Sequence, residues 1–146
     1  MTIKIFTKNK QFSQVSKRIL LVEDHDVNRM LLSDFLTYQG YMVKSLKNGY
    51  SFLSKIFLFK PDIVLLDLKL PDIDGYYLLE QIRTHPHISK LPIIVVSAFA
   101  FKSDMEKAKK LGANYYLVKP IDLNNLVAAI EKETQTCKSQ EMYCVF

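Results

Sequence analysis

Short runs of β-branched and leucine-rich residues recur along the chain, separated by longer stretches with mixed polarity. They predict strands at Arg18–Glu23 (RILLVE), Tyr41–Ser45 (YMVKS), Asp62–Leu66 (DIVLL), Ile93–Ser97 (IIVVS) and Tyr115–Val118 (YYLV). Three of these are almost wholly apolar, as strands covered on both faces must be, which predicts a parallel sheet. Between them, Val27, Leu31, Phe35 and Tyr38 recur at near-helical spacing, and Leu123, Leu126, Val127 and Ile130 follow the i, i+3, i+4, i+7 rule of an amphipathic helix. Gly40 and Gly112 stand where helices should stop, and Asp122 stands where an N-cap belongs. Further helices are expected near 48–58, 75–84 and 102–111, the last aligning Met105, Ala108 and Leu111. The segment FLSKIFLF at 52–59 is apolar around most of a helix, more than one buried face requires, so it meets either a partner or another part of the chain.

Five strands alternating with five helices assemble, through right-handed crossovers, into an α/β three-layer sandwich. The 146 residues suit one domain, with 49% hydrophobic and 24% charged residues, as in a soluble globular protein. The N-terminus lacks the apolar core of a secretory signal, and no run is long enough to cross a bilayer, so a cytoplasmic location is expected. A formal charge of +5 is modest and its lysines are dispersed, which disfavours nucleic-acid binding. Cys137 and Cys144 fall outside every periodic segment and imply no disulfide framework.

The run DIVLLD ends on Asp67, and a bare carboxylate in a core costs several kcal/mol, roughly, unless it is paired or placed at an opening. In an open parallel sheet, functional groups gather beyond the carboxyl ends of the strands. At that edge the first strand ends in Glu23-Asp24-His25-Asp26, the third in Asp67, the fourth in Ser97 and the fifth in Lys119-Pro120. Crowded carboxylates raise one another's pKa unless a cation sits among them. Glu23, Asp24 and Asp67 offer the oxygen ligands that suit Mg2+, which keeps several waters and favours sites shared with phosphate. His25 is a single imidazole, and His85 and His87 lie on a distant loop, which disfavours a transition metal. A carboxylate is also a nucleophile towards phosphorus, and phosphoryl transfer needs little beyond alignment and charge neutralisation. Asp67 would then attack, while Lys119 and the Ser97 hydroxyl hold phosphoryl oxygens.

The ILLVEDH acidic pair, the spacing to LLDLKLPDIDG, the hydroxyl in VVSA and the lysine in VKP together resemble the receiver domains of two-component response regulators. The resemblance covers residues 17–135, leaving an extension at 1–16 and a tail at 136–146, and the pattern around VEDHDVNRM is similar to receivers of hybrid kinases. It implies a flavodoxin-like fold with strand order 2-1-3-4-5, for which a member of this family is a standard example. Carried over residue by residue, it makes Asp67 the phosphoacceptor, Glu23 and Asp24 the acid pair around Mg2+, and the backbone carbonyl of Lys69 a further metal ligand. Ser97 corresponds to the switch hydroxyl, Tyr116 to the switch aromatic and Lys119 to the phosphate-binding lysine, and Asp74-Gly75 to the turn opening the third helix. The implied donor is a histidine kinase or histidine phosphotransfer protein. The fourth helix, fifth strand and fifth helix would form the face that changes, meeting a downstream protein or a second copy.

Three rival functions fit less well. Aspartyl-nucleophile phosphatases carry a second acid two residues after the nucleophile, where this chain has Lys69, so no enzyme acting on an external substrate is expected. A flavin carrier of the same fold needs a hydroxyl-rich phosphate loop where this chain has EDHD. A pseudo-receiver that signals without phosphorylation would have no use for a complete pocket.

Overall fold

The computed structural model describes residues 15–135 and Tyr143. The cysteines at 137 and 144 and most of the predicted extension and tail lie outside the described residues. The chain alternates β1 (Arg18–Val22), α1 (Asp26–Tyr38), β2 (Met42–Leu46), α2 (Phe52–Phe59), β3 (Ile63–Leu66), α3 (Gly75–Thr84), β4 (Ile93–Ser97), α4 (Lys102–Lys110), β5 (Tyr115–Val118) and α5 (Leu123–Gln135). All neighbouring strands are parallel, in the order β2-β1-β3-β4-β5. This is the flavodoxin-like sandwich.

Alternation along each strand sorts the core into two halves, because successive side chains point to opposite faces of a sheet. Ile19, Leu21, Ile63, Leu65, Ile94 and Val96 pack with α1 and α5. Leu20, Val22, Val64, Leu66, Ile93 and Val95 pack with α2, α3 and α4. Since both faces of β1, β3 and β4 are covered, their sequences read as continuous apolar runs rather than as alternation. The edge strand β2 has a mixed burial pattern, and its sequence is correspondingly more polar.

Several boundaries shift from the sequence expectation by one residue, and two expectations need larger correction. The helix expected near 48–58 begins at Phe52, because residues 48–51 form the loop in which the Gly49 N–H donates to Asp72 Oδ1 at 2.9 Å. In α1 the stripe Val27, Leu31, Phe35, Tyr38 is not the core face. Val27, Leu31 and Tyr38 are 67%, 57% and 88% exposed, while Leu32 and Leu36 are buried. The two stripes are a single position apart, so spacing alone did not decide which faced the sheet. The helix stops behave as expected, with Gly40 and Gly112 at φ of 100° and 106°, where a side chain would be strained.

Candidate functional site

Each residue singled out at the sheet edge sits at the end of a strand or just past it, held by ladder bonds. The Glu23 N–H donates to Leu46 O at 2.9 Å and the Asp67 N–H to Val22 O at 3.0 Å. On the other side of β4, the Lys119 N–H donates to Ser97 O at 2.9 Å. The turn after Asp67 is shaped by Asp74, whose carboxylate accepts from the Tyr76 N–H and caps α3. Gly75 follows because a Cβ there would run into the backbone of Leu68 and Asp67. The start of α3 can therefore press directly against the strand end.

The fold brings Glu23, Asp24, Asp67 and Lys119 together. Lys119 Nζ donates to Glu23 Oε1 at 2.5 Å and to Asp67 Oδ2 at 2.8 Å. The other oxygens are also engaged, Glu23 Oε2 by the His25 N–H at 3.1 Å and Asp67 Oδ1 by the Lys69 N–H at 3.1 Å. Glu23 and Asp67 are buried, whereas Asp24 is exposed at the mouth. Carboxylate oxygens of Glu23, Asp24 and Asp67 lie within 4.8 Å of one another, close enough to share one ion. Three acids facing one lysine leave an excess of negative charge, and hard oxygen donors of this kind suit Mg2+. Lys69 lies in the turn with its side chain exposed and its backbone bridged to Asp74.

Burial pushes the Glu23 carboxyl above its ordinary pKa, and the hydrogen bonds from Lys119 and His25 only partly offset this. For Lys119 burial acts to lower the pKa, but the bonds to Asp67 and Glu23 outweigh it and the net shift is upward. The lysine therefore stays cationic through the physiological range.

Ser97 and Tyr116 meet through the backbone of Phe99. The buried Ser97 Oγ accepts from the Phe99 N–H at 3.1 Å, and Tyr116 donates its hydroxyl proton to Phe99 O at 2.7 Å. Burial raises the Tyr116 pKa, so its hydroxyl remains a donor. His25 caps α1, its Nδ1 accepting from the Asn28 N–H at 3.4 Å.

Sequence reasoning missed Arg29. From the first turns of α1 its guanidinium donates to Glu23 O at 3.0 Å and Asp24 O at 3.3 Å, and pairs with Asp26 at 2.5 Å. A cation one turn into the helix that follows an acid pair was the available signal. Beside Lys119 and Glu23, a cleft of about 440 Å³ opens between α1 and the β5–α5 connection, lined by Leu31, Leu32, Pro120, Ile121 and Leu123.

A model of the response regulator receiver domain matches residues 19–131. The polar-differentiation response regulator DivK of Brucella anthropi is 30% identical over 115 residues, which cover 79% of this chain and 94% of that protein. A two-component response regulator from Clostridium difficile superposes with a TM-score of 0.77 at 26% identity, covering 83% of this chain and 98% of that one. The receiver domain of a sensor histidine kinase from Pseudomonas aeruginosa, solved with a magnesium ion coordinated in its active-site cleft, gives 0.76 at 30% identity over 84% of this chain and 100% of that one.

Proposed function

The chain belongs to the response regulator receiver family, and on that premise we propose that it is a phosphorylation-dependent signalling switch that accepts a phosphoryl group on Asp67. The observation that carries this reading is the buried Asp67 carboxylate, held by Lys119 and facing the Glu23–Asp24 pair. In the reaction an Asp67 oxygen attacks phosphorus, the bond from phosphorus to the donor histidine nitrogen breaks, and that nitrogen leaves with the bond's electron pair. Glu23, Asp24, Asp67 and the Lys69 carbonyl would hold Mg2+, as a magnesium ion is held in the cleft of the Pseudomonas neighbour. Bound there, the ion neutralises charge developing on the phosphoryl oxygens. Lys119 takes a second oxygen by exchanging its bond to Asp67, and Ser97 reaches a third by giving up the Phe99 N–H. Hydrolysis of the acyl phosphate returns the carboxylate and inorganic phosphate. No external substrate is turned over, and Lys69 stands where a phosphatase would need an acid.

The donor is a histidine kinase or a histidine phosphotransfer protein. Its docking is supported by Val27, Met30 and Leu31, which stand exposed on α1, Leu31 lining the cleft at Lys119. Once Ser97 turns to the phosphoryl group, Tyr116 loses a neighbour fixed by the same backbone. The α4–β5–α5 face then changes its affinity for a downstream protein or a second copy, as a population shift between two states. Among the described residues no helix is long and apolar enough to cross a membrane.

Incubation with Mg2+ and a small phosphodonor tests the reading by intact-mass spectrometry. One phosphoryl group per chain is expected, absent in Asp67→Asn and suppressed by chelation. A chain that stays unmodified under these conditions is a pseudo-receiver.

A further inference from the structure

Helix α2 is apolar at six of its eight positions, FLSKIFLF, which is more than the sheet consumes. Phe52 and Ile56 enter the core. The Phe59 ring is covered by the Arg18 guanidinium, 4.6 Å from its centroid, and Phe57 meets the His85 ring at 5.1 Å. The corner where α2 hands over to β3 is occupied by a residue from far along the sequence. Tyr143 is only 6% exposed and belongs to the same buried cluster as Phe52 and Ile56. Its hydroxyl donates to Pro61 O at 2.9 Å. A ring buried among apolar side chains with its polar tip paired marks a specific seat, since an unpaired phenol would be costly there.

We propose that the α2–β3 corner is a receptor for an aromatic side chain and that its occupant is Tyr143 of the same chain, acting as a tethered anchor on the domain. Tyr143 lies eight Cα–Cα steps beyond Gln135, the end of α5, with seven residues between them. Eight fully extended steps reach at most about 28 Å, comparable with the width of a domain of this size. The seat lies beside Pro61, at the end of β3 opposite Asp67, so the anchor acts independently of phosphotransfer.

The test uses the full chain. Tyr143→Ala lowers Tm by about 5–10 °C, and Tyr143→Phe, which keeps the ring and loses the bond to Pro61, by about 2–4 °C. The chain contains no tryptophan, so Tyr143→Trp introduces a single reporter. Its emission is expected to be blue-shifted and shielded from acrylamide. Both effects should hold over an about hundredfold range of protein concentration, because the contact is intramolecular. An unchanged Tm in Tyr143→Ala, or a solvent-like tryptophan, overturns the proposal. Stabilisation that grows with concentration also overturns it, by placing a second copy's tyrosine in the seat. Phosphorylation of Tyr143→Ala by the small donor should match that of the parent, so a parent chain that fails to accept phosphate at all refutes the phosphoacceptor reading and not this one.

Discussion

At the scale of single residues, the site is a balance between burial and pairing. Glu23 has a raised pKa in the metal-free protein because burial disfavours its charge. The folded state therefore holds this proton more tightly than the unfolded chain, whose value is near 4.5. As pH rises from there through the folded value, this group's contribution to stability declines. A divalent ion competes with that proton, so the Tm gain from saturating Mg2+ should grow over the same pH window. Thermal scans with and without Mg2+ at several pH values check this, and a gain that is flat with pH would remove Glu23 from the ligand set. Arg29 acts on the same ligands through the backbone. Arg29→Ala should weaken Mg2+ binding about tenfold by calorimetry, as loss of a group orienting the ligands does. Asp26→Ala, which breaks only an exposed ion pair, should leave it unchanged. Asp67, Lys119 and the acid pair were legible in the sequence because each ends an apolar strand. Arg29 was less so, because a cation one turn into a helix is a weak signal on its own and its role depends on the side chain folding back over the Glu23 and Asp24 carbonyls.

At the scale of elements, the sequence announced strands better than helix faces. A strand buried on both sides shows itself as a continuous apolar run, and β4 falls where the sequence placed it, as does the more exposed β5. Helix α1 offers two apolar stripes one position apart, and only the sheet selects between them. Leu32 and Leu36 join the core cluster of Ile19, Leu21, Ile63 and Leu65, leaving Val27, Met30 and Leu31 exposed, with Leu31 lining the cleft at Lys119. On the proposed docking of the donor, this separates stability from recognition along one helix. Leu32→Ala should cost about 2–5 kcal/mol in denaturant unfolding, the usual range for a truncated core leucine. Leu31→Ala should change stability by less than about 0.5 kcal/mol, as exposed substitutions do. It should nevertheless slow phosphoryl uptake from a histidine phosphotransfer donor while sparing uptake from a small phosphodonor. Equal slowing with both donors would mean that Leu31 supports the pocket and not the partner. Helix α2 carried a legible anomaly, too much apolar surface, but its resolution lay some eighty residues away in Tyr143, beyond the reach of any periodicity.

Across the whole molecule, the site and its expected output face share a short physical connection. Ser97 and Tyr116 grip opposite polar groups of the Phe99 backbone, just ahead of α4. The far side of α4 is tied to the start of α3, where the Tyr76 hydroxyl donates to Asp104 O at 3.3 Å and Lys107 Nζ stands 4.2 Å from the Tyr76 ring centroid. Helix α4 is thus held between the strand end that carries Ser97 and the turn that follows Asp67. On the proposed function, a phosphoryl group at Asp67 would bear on both, by drawing in the Ser97 hydroxyl and by loading the turn capped by Asp74. Coupling between two sites of this kind is typically worth about 1–3 kcal/mol, or a 5–150-fold shift in an equilibrium. Phosphorylation should therefore change amide exchange across residues 102–110 by about tenfold, which lies within that range. In Ser97→Ala, Asp67 and Lys119 remain in place, so phosphate should still be accepted, but the exchange response of α4 should largely vanish. If that response persists in full, the turn at Asp74 carries the signal alone and the Phe99 connection is only structural.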